Sequence, residues 1–139
     1  MPVWRIVVYV TEDRTVPFVS WFNNQDRPVR AVVQAALIAL SGEHGDWEDP
    51  EVKQFKALTG NDVGLGEVIA EIVQQEGPKQ RKRQIRCLGI WPADSREFVL
   101  LNGLEKFGKS PNPPNAYREA HRLKRQYGQA RGTVDDYFK

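Results

Sequence analysis

The chain has few of the residues on which several protein classes depend. It contains one cysteine, Cys87, so an internal disulfide is excluded and a reducing compartment is favoured. Because Cys87 falls in a predicted strand, we expect a small buried hydrophobe and not a nucleophile. No apolar run approaches the ~20 residues of a membrane helix, and the residues after Met1 lack the pattern of a signal peptide. We therefore expect a cytoplasmic protein with no membrane partner.

Motifs for several kinds of site are missing as well. The chain has no glycine-rich phosphate loop, no Cys/His spacing for a metal and no Gly-x-Ser-x-Gly elbow. Its two histidines, His44 and His121, stand far apart in the sequence. His121 lies among arginines that could contact phosphate, but its spacing implies no particular reaction. We therefore expect no metal and no cofactor.

What the chain does have is an uneven distribution of charge. Residues 1–78 hold 6 Lys/Arg and 12 Asp/Glu, which leaves a net charge of −6. Residues 79–139 hold 14 Lys/Arg and 6 Asp/Glu, which leaves +8. Local bias of this kind can average out on a folded surface. Neutralising phosphates is the commonest use of a concentrated cationic field, so we interpret the second half as binding RNA or DNA.

The first half predicts one strand and two helices. Val3–Val10 is rich in β-branched and aromatic residues, as strands are. Thr15 is a plausible cap for a first helix in which Pro17 takes the first position. Asp26 precedes a second helix, whose apolar residues follow the helical period without a miss until Gly42 ends it.

From Pro50 onward the chain predicts mostly strands. Pro50 is expected to open a short helical turn, and Leu65–Val73 alternates like a half-buried strand. Arg83–Trp91 and Arg96–Asn102 then predict two strands joined by Pro92–Ser95.

A basic turn, Gly103–Pro111, follows the last of these strands, and a basic helix runs to Tyr127. The order of elements predicts one α+β domain over residues 1–127, with an N-terminal strand and helices packed on a mainly antiparallel sheet and a C-terminal helix. The polar tail, 128–139, is expected either to be flexible or to dock locally.

Basic side chains of the second half are candidates for a phosphate site. If Arg86, Lys106 and Lys109 converge with the run Lys79–Arg83, they form a pocket that holds a phosphodiester and offsets charge in a transition state. Alternatively, the run is only a solvated hairpin. The candidate nucleic-acid-binding residues are Lys79, Arg81, Lys82, Arg83, Arg118, Arg122 and Arg125.

Arg86 stands out because it interrupts an otherwise apolar strand face. A charge in that position is costly unless it is paired or functional. It either pairs with Glu67 or Glu71 across the sheet or contacts a ligand. The two glutamates, two residues apart on one face, could also serve as an acid/base pair, although their spacing does not demand it.

A family resemblance is carried by an amphipathic helix pair and six short stretches. The stretches are Pro50–Leu58, Gly64–Val68, Ile85–Ile90, Phe98–Leu104, Glu105–Pro111 and Ala116–Tyr127. Together they resemble the RelE/HigB-type toxins of bacterial and phage toxin–antitoxin pairs, and most of all the phage-derived HigB-like branch. The resemblance covers roughly residues 3–127.

The resemblance implies a compact α+β toxin fold, a cognate antitoxin partner and cleavage of messenger RNA on the ribosome without a metal. In that chemistry the ribose 2′-hydroxyl attacks the adjacent phosphate. By position, Arg86 would match the family's strand arginine, and Lys106 and Lys109 its basic turn. Tyr117 is a candidate for the acid or base.

Three positions depart from the family pattern and favour an alternative. Ile69 stands where the branch has an arginine, Asn102 where it often has a histidine, and Phe107 where it has a turn lysine. Each lost acid or base typically removes 10²–10⁴-fold in rate. The alternative is therefore a non-catalytic, nucleic-acid- or protein-binding member of the same fold. A gyrase-poisoning relative would likewise share the fold without nuclease residues.

Overall fold

The fold is α+β, as predicted, in a computed structural model that describes residues 4–92 and 95–138. Within these residues, three helices pack on a seven-stranded, mainly antiparallel sheet. The strands are β1 (Arg5–Val10), β2 (Phe55–Ala57), β3 (Gly66–Glu76), β4 (Lys79–Ile90), β5 (Glu97–Phe107), β6 (Ser110–Asn112) and β7 (Thr133–Asp136). The helices are α1 (Pro17–Asn23), α2 (Arg27–Ser41) and α3 (Ala116–Gly128), with a 3-10 turn at Gly60–Asp62.

The sheet runs in the order β2-β3-β4-β5-β1-β7, and β6 pairs with β5 beyond the end of β1. β1 and β5 are parallel, and the other pairs are antiparallel. One core lies between the sheet and α1 and α2, and a second lies between the sheet and α3. Phe98–Leu101 of β5 is fully buried between the two cores, and its apolar run is typical of a central strand covered on both sides.

The N-terminal helices begin close to the predicted residues. Asp26 caps α2, because its carboxylate accepts a hydrogen bond from the Val29 N–H at 3.1 Å. Pro17 is the first residue of α1, as predicted, but Thr15 is not its cap. Val16 takes that position, and the Thr15 hydroxyl is held instead in a turn with Thr11 and Asp13.

Two predicted elements after Pro50 are wrong. The helical turn after Pro50 is absent, since residues 55–57 form the edge strand β2 opposite Gly66–Val68. The extended backbone inserts the Phe55 ring among core aromatics, which a helical turn would not do. Likewise, most of the predicted basic turn belongs to β5 and β6, and the reversal is confined to Gly108-Lys109.

Other sequence predictions hold or lie outside the description. β3 alternates as expected, with Val68 and Ala70 buried on the side of α1 and α2. Of the predicted Pro92–Ser95 connection, residues 93 and 94 lie outside the described residues, as does Val3 of the predicted first strand.

A β-bulge in β5 decides which side chains face α3. Leu88 pairs with Asn102 and Gly89 with Leu100, so Leu101 is an extra residue in β5. After Leu101, each side chain of β5 therefore faces the opposite side of the sheet from the one that unbroken alternation would give it. Lys106 consequently points to the α3 side, where a strand without the bulge would have turned it toward α1.

The polar tail docks locally through β7, which pairs antiparallel with β1. Tyr137 follows β7 and packs edge-on against Phe18 and Phe22, with ring centroids 5.9 and 6.4 Å away. Across the described ranges, no helix has both the length and the apolar character to cross a membrane.

Candidate functional site

The site lies on the α3 side of the sheet, where β3, β4 and β5 form three cross-strand rows of side chains. The rows are Glu67–Leu88–Asn102, Ile69–Arg86–Leu104 and Glu71–Gln84–Lys106. Leu88 and Leu104 are buried under α3, whereas the residues of the third row are exposed or partly exposed. Polar groups therefore surround the edge of this apolar core.

Arg86 and Glu67 form a buried ion pair. Arg86 Nε lies 3.5 Å from Glu67 Oε1, and the two residues are only 8% and 4% exposed. Arg86 Nη1 also donates to the Ile85 carbonyl, and Nη2 to the Gln84 side chain, both at 3.0 Å. Of the partners weighed from the sequence, the structure selects Glu67 and not Glu71.

The pair is poorly matched for a purely structural role. At 3.5 Å the Arg86 Nε contact is long for a hydrogen bond, and that buried N–H has no hydrogen-bond partner in the described part of the chain. Taking two charges out of water costs several kcal/mol per ion, and their mutual attraction offsets this cost only if the geometry is excellent. A buried, imperfectly satisfied pair of this kind is a candidate functional group.

Tyr117 of α3 also contacts Glu67 of this ion pair. Its hydroxyl donates to Glu67 Oε2 in an equally long contact of 3.5 Å, and Lys106 Nζ lies 5.7 Å from its ring centroid. Burial, followed by the Glu67 charge, raises the pKa of Tyr117 against the opposing effect of Arg86. The phenol therefore stays protonated at neutral pH and acts as a hydrogen-bond donor.

His121 and Asp62 belong to the same site, although no pattern in the sequence predicts that they pair. His121 Nε2 lies 3.0 Å from Asp62 Oδ1, which joins α3 to the 3-10 turn. His121 follows Tyr117 by four residues, so both lie on one face of α3. The charge of Asp62 also contributes to the raised pKa of Tyr117. The i, i+4 spacing was visible in the sequence, but its partner, 59 residues away, was not.

We refer to these residues as the polar cluster. Its members are Asp62, Glu67, Arg86, Lys106, Tyr117 and His121. Lys106 is partly exposed and Arg86 is buried, so Lys106 is the cation of the two that an incoming phosphate reaches more easily. The cluster thus combines a reachable ammonium group with four groups that can hold or move a proton: Asp62, Glu67, Tyr117 and His121.

Arg83, in contrast, does not join the cluster. Strand alternation turns it to the α1 and α2 side, where it makes two hydrogen bonds to Glu105 at 2.8 and 2.9 Å and one to Asp26 at 2.8 Å. The expectation that the whole basic run converges with Arg86 therefore fails at Arg83. A residue whose guanidinium is bound on three sides by carboxylate oxygens supports the fold.

The other cations of the run lie along the exposed part of the β3–β4 hairpin. Lys79 and Arg81 alternate with Lys82, and only Lys82 shares the face of Arg86. Arg81 makes an exposed ion pair with Glu76 at 3.5 Å. Lys109 stands exposed in the turn after β5.

On α3, three candidate cations form a separate strip. Arg118, Arg122 and Arg125 recur at i, i+4 and i+7, and all three are exposed. Arg122 pairs with Glu119 one turn earlier. Within residues 4–92 and 95–138, Arg118 and Arg125 make no ion pair. We call these three residues the arginine strip.

The three family departures occupy different environments. Ile69 adjoins Arg86 in the second row, so no second cation stands beside it there. Asn102 donates from Nδ2 to the Ala116 carbonyl at 2.9 Å, while its buried Oδ1 has no partner among the described residues. Phe107 is 48% exposed near the end of β5.

Cys87 is buried, as predicted, and faces the core under α1 and α2. Burial raises the pKa of its thiol far above the ordinary range, so it is not a nucleophile. Within the described ranges, no group of three or more His, Cys, Asp or Glu side chains is placed to hold a metal ion.

No protein-family model, curated protein or solved structure matches the chain.

Proposed function

We propose that the chain is the toxin of a toxin–antitoxin pair, a metal-independent endoribonuclease that cuts ribosome-bound messenger RNA in the cytoplasm. The family assignment and the antitoxin partner rest on the sequence resemblance. The cleavage activity rests on one observation, the polar cluster, in which Lys106 stands beside a buried Glu67–Arg86 pair and the Tyr117 hydroxyl. Such a concentration of charge next to an apolar core is costly unless it is used.

The proposed reaction is an internal transesterification. The 2′-oxygen of one ribose attacks the adjacent phosphorus, and the bond from phosphorus to the 5′-oxygen breaks, which leaves a 2′,3′-cyclic phosphate and a 5′-hydroxyl. His121, oriented by Asp62, accepts the 2′-hydroxyl proton. Tyr117 donates a proton to the departing 5′-oxygen. Lys106 offsets the negative charge that builds up on the phosphate oxygens.

Arg86 has a positioning role in this proposal. Its guanidinium is held by Gln84 and the Ile85 carbonyl and keeps Glu67 in place. Glu67 in turn accepts the Tyr117 hydroxyl and orients it. Lys109 in the neighbouring turn adds positive charge for the RNA backbone.

The first test is translation-coupled cleavage by the protein expressed alone. We expect slower growth and cut messages with the wild-type chain, and a 10²–10⁴-fold loss of cleavage in Tyr117→Phe and Lys106→Ala. Lys53→Ala, a lysine of the acidic half, serves as the control and should cut normally. A chain that neither slows growth nor cuts RNA overturns the enzymatic proposal.

Arg86→Ala is a poor first variant, because it leaves Glu67 buried without a partner. Breaking a buried pair in this way typically costs 3–5 kcal/mol, so lost activity would report unfolding. A neighbouring reading frame for a small acidic or helix-turn-helix protein would support the antitoxin partner at little cost.

The second candidate is a non-catalytic, nucleic-acid-binding protein of the same fold. It is favoured by the Arg86 contacts, since Glu67, Gln84 and Ile85 already occupy that guanidinium. The carboxylate of Glu67 would also repel a phosphate. Salt-dependent RNA binding without any cutting would identify this function and distinguish it from the enzyme.

A further inference from the structure

A second concave site lies near the C-terminal end of α3. A pocket of about 780 Å³ opens where β4 ends, β5 begins and α3 finishes. Tyr127 lines it, ten residues after Tyr117, which corresponds to about 15 Å along the helix. Other lining residues are closer, since Lys124 follows His121 by three residues and Gly64 follows Asp62 by two, so the pocket adjoins the polar cluster.

Aromatic rings form much of the pocket wall. Trp91, Trp4 and Tyr127 all line it. The Trp91 indole donates from Nε1 to Glu48 at 2.9 Å and packs edge-on against Phe55, with centroids 5.1 Å apart. Trp91 is therefore held in place while part of its surface stays exposed, as a stacking platform requires.

Two cations, Arg96 and Lys124, also line the pocket. The Arg96 guanidinium lies 5.9 Å from the Trp4 ring centroid and donates to the His44 carbonyl at 3.0 Å. Lys124 comes from α3 and rests against Gly64, where an added Cβ would lie 2.2 Å from its Nζ. The absence of a side chain at Gly64 leaves room for the ammonium group.

The carboxylates of Asp46 and Glu48 balance these two cations. A polyphosphate would meet this pair of carboxylates and be disfavoured. A ligand with a flat ring, one phosphate and several hydroxyl or amino donors matches the rings, the cations and the carboxylates together.

We infer that this pocket binds one unpaired nucleotide of an RNA strand, with its base on Trp91 and Tyr127 and its phosphate between Arg96 and Lys124. The identity of the strand as RNA rests on the proposed function. The nucleotide is one that flanks the cleavage position, because the pocket begins beside the polar cluster at Lys124 and extends along α3 to Tyr127.

The test is a nuclear magnetic resonance titration of the isotope-labelled full chain. Three probes are compared: adenosine 5′-monophosphate, adenosine and inorganic phosphate. We expect the monophosphate to shift the Trp91 indole, Lys124 and Tyr127 resonances and to bind more tightly than either fragment. Shifts confined to other surfaces, or equal binding of phosphate alone, would overturn the inference.

Variants of the two cations test the assigned contacts. Lys124→Ala and Arg96→Ala should each weaken monophosphate binding about tenfold, as expected for the loss of one charge-assisted hydrogen bond. Arg30→Ala removes the same charge from α2, on the other side of the sheet, and should leave the affinity unchanged. Unchanged affinity in the first two variants, with the shifts still observed, would contradict the contacts.

A 2′-O-methylated trinucleotide, which cannot undergo the transesterification, separates an RNA strand from a free nucleotide. Tighter binding of the trinucleotide than of the monophosphate supports the strand. Binding of the monophosphate alone overturns it in favour of a free nucleotide. Neither result depends on cleavage, so a catalytically silent protein would refute the proposed activity and leave this inference standing.

Discussion

At the scale of single residues, Arg83 shows how one cation of a basic run can serve the fold. Its side chain is 15% exposed and that of Glu105 only 9%. We expect Arg83→Ala to lower the free energy of unfolding by about 3–5 kcal/mol, because it leaves the Glu105 carboxylate buried and unpaired. Denaturant unfolding measures this loss.

The control for that variant is Arg81→Ala, which removes a neighbouring arginine in an exposed pair with Glu76. It should change stability by about 0–1 kcal/mol. If Arg83→Ala remained as stable as the wild type and instead lost RNA affinity, Arg83 would belong to the binding surface after all.

Asp26 makes stability depend on pH in a defined direction. Hydrogen bonds from Arg83 first, and then from the Val29 N–H, lower the pKa of its carboxyl below 3.8. The unfolded chain therefore takes up the proton first as the pH falls. This contribution to stability is complete above the unfolded pKa of about 4 and is lost as the pH falls through the lower folded value.

Asp26→Asn tests this prediction, since asparagine keeps the helix cap and removes the charge. We expect the variant to be less stable than the wild type at pH 7, with a smaller difference at pH 2.5. Urea unfolding at both values measures the change. A difference that grows on acidification would contradict the assigned direction.

How far the sequence predicts the site also depends on single residues. Arg86 was recognisable as a charge on an apolar strand face, and strand alternation made Glu67 one of its two possible partners. Asp62 was not recognisable, because its contact with His121 joins residues 59 positions apart. Local patterns give the face on which a side chain lies, but not the distant residue that it meets.

At the scale of elements, the sequence predicts regular segments well and irregular ones poorly. The unbroken helical period predicts α2, and a run that is apolar on both faces predicts the central part of β5. The bulge at Leu101 has no such pattern, because only pairing with Leu88 and Gly89 reveals the extra residue. That bulge turns Lys106 toward the polar cluster, so one irregular residue determines the composition of the site.

The C-terminal strand β7 depends on one aromatic anchor. Tyr137 packs on Phe18 and Phe22, and its hydroxyl donates to the Gln34 side chain. We expect Tyr137→Ala to cost about 2–3 kcal/mol, less than a fully buried aromatic residue would, because the side chain is only partly covered. Amide hydrogen exchange should speed up across β7 and the paired edge of β1.

Phe138→Ala is the matched control for this anchor. Phe138 is 37% exposed, and among the rings of the described residues it pairs with Tyr137 alone, with centroids 4.9 Å apart. It should lose less than 1 kcal/mol and leave exchange in β1 unchanged. Equal losses in the two variants would mean that β7 is not anchored by Tyr137.

At the scale of the whole molecule, the acidic and basic halves of the sequence are interleaved by the fold. β3 comes from the acidic half, yet it pairs along its length with β4, which carries the basic run. Within that run, Arg83 is neutralised by carboxylates on the side of α1 and α2. Lys79, Arg81 and Lys82 of the run stay exposed on the hairpin, and the arginine strip adds three exposed cations on α3.

The arginine strip therefore predicts how RNA affinity responds to salt. For single strands, log K falls with log salt by about 0.7 for each phosphate neutralised. Replacing Arg118, Arg122 and Arg125 together by alanine should reduce the slope by about 2. Binding of a single-stranded RNA between 50 and 300 mM KCl, followed by fluorescence anisotropy, measures this slope.

The matched control replaces Arg14, Arg27 and Arg30, which are exposed or partly exposed arginines of the acidic half. It changes the net charge by the same amount, so any effect of total charge alone would appear equally in both triple variants. A slope reduced only in the α3 variant locates the RNA backbone on that helix. Equal slopes would show that the strand binds elsewhere, because three phosphates contacted by the strip cannot be lost without a change in counterion release.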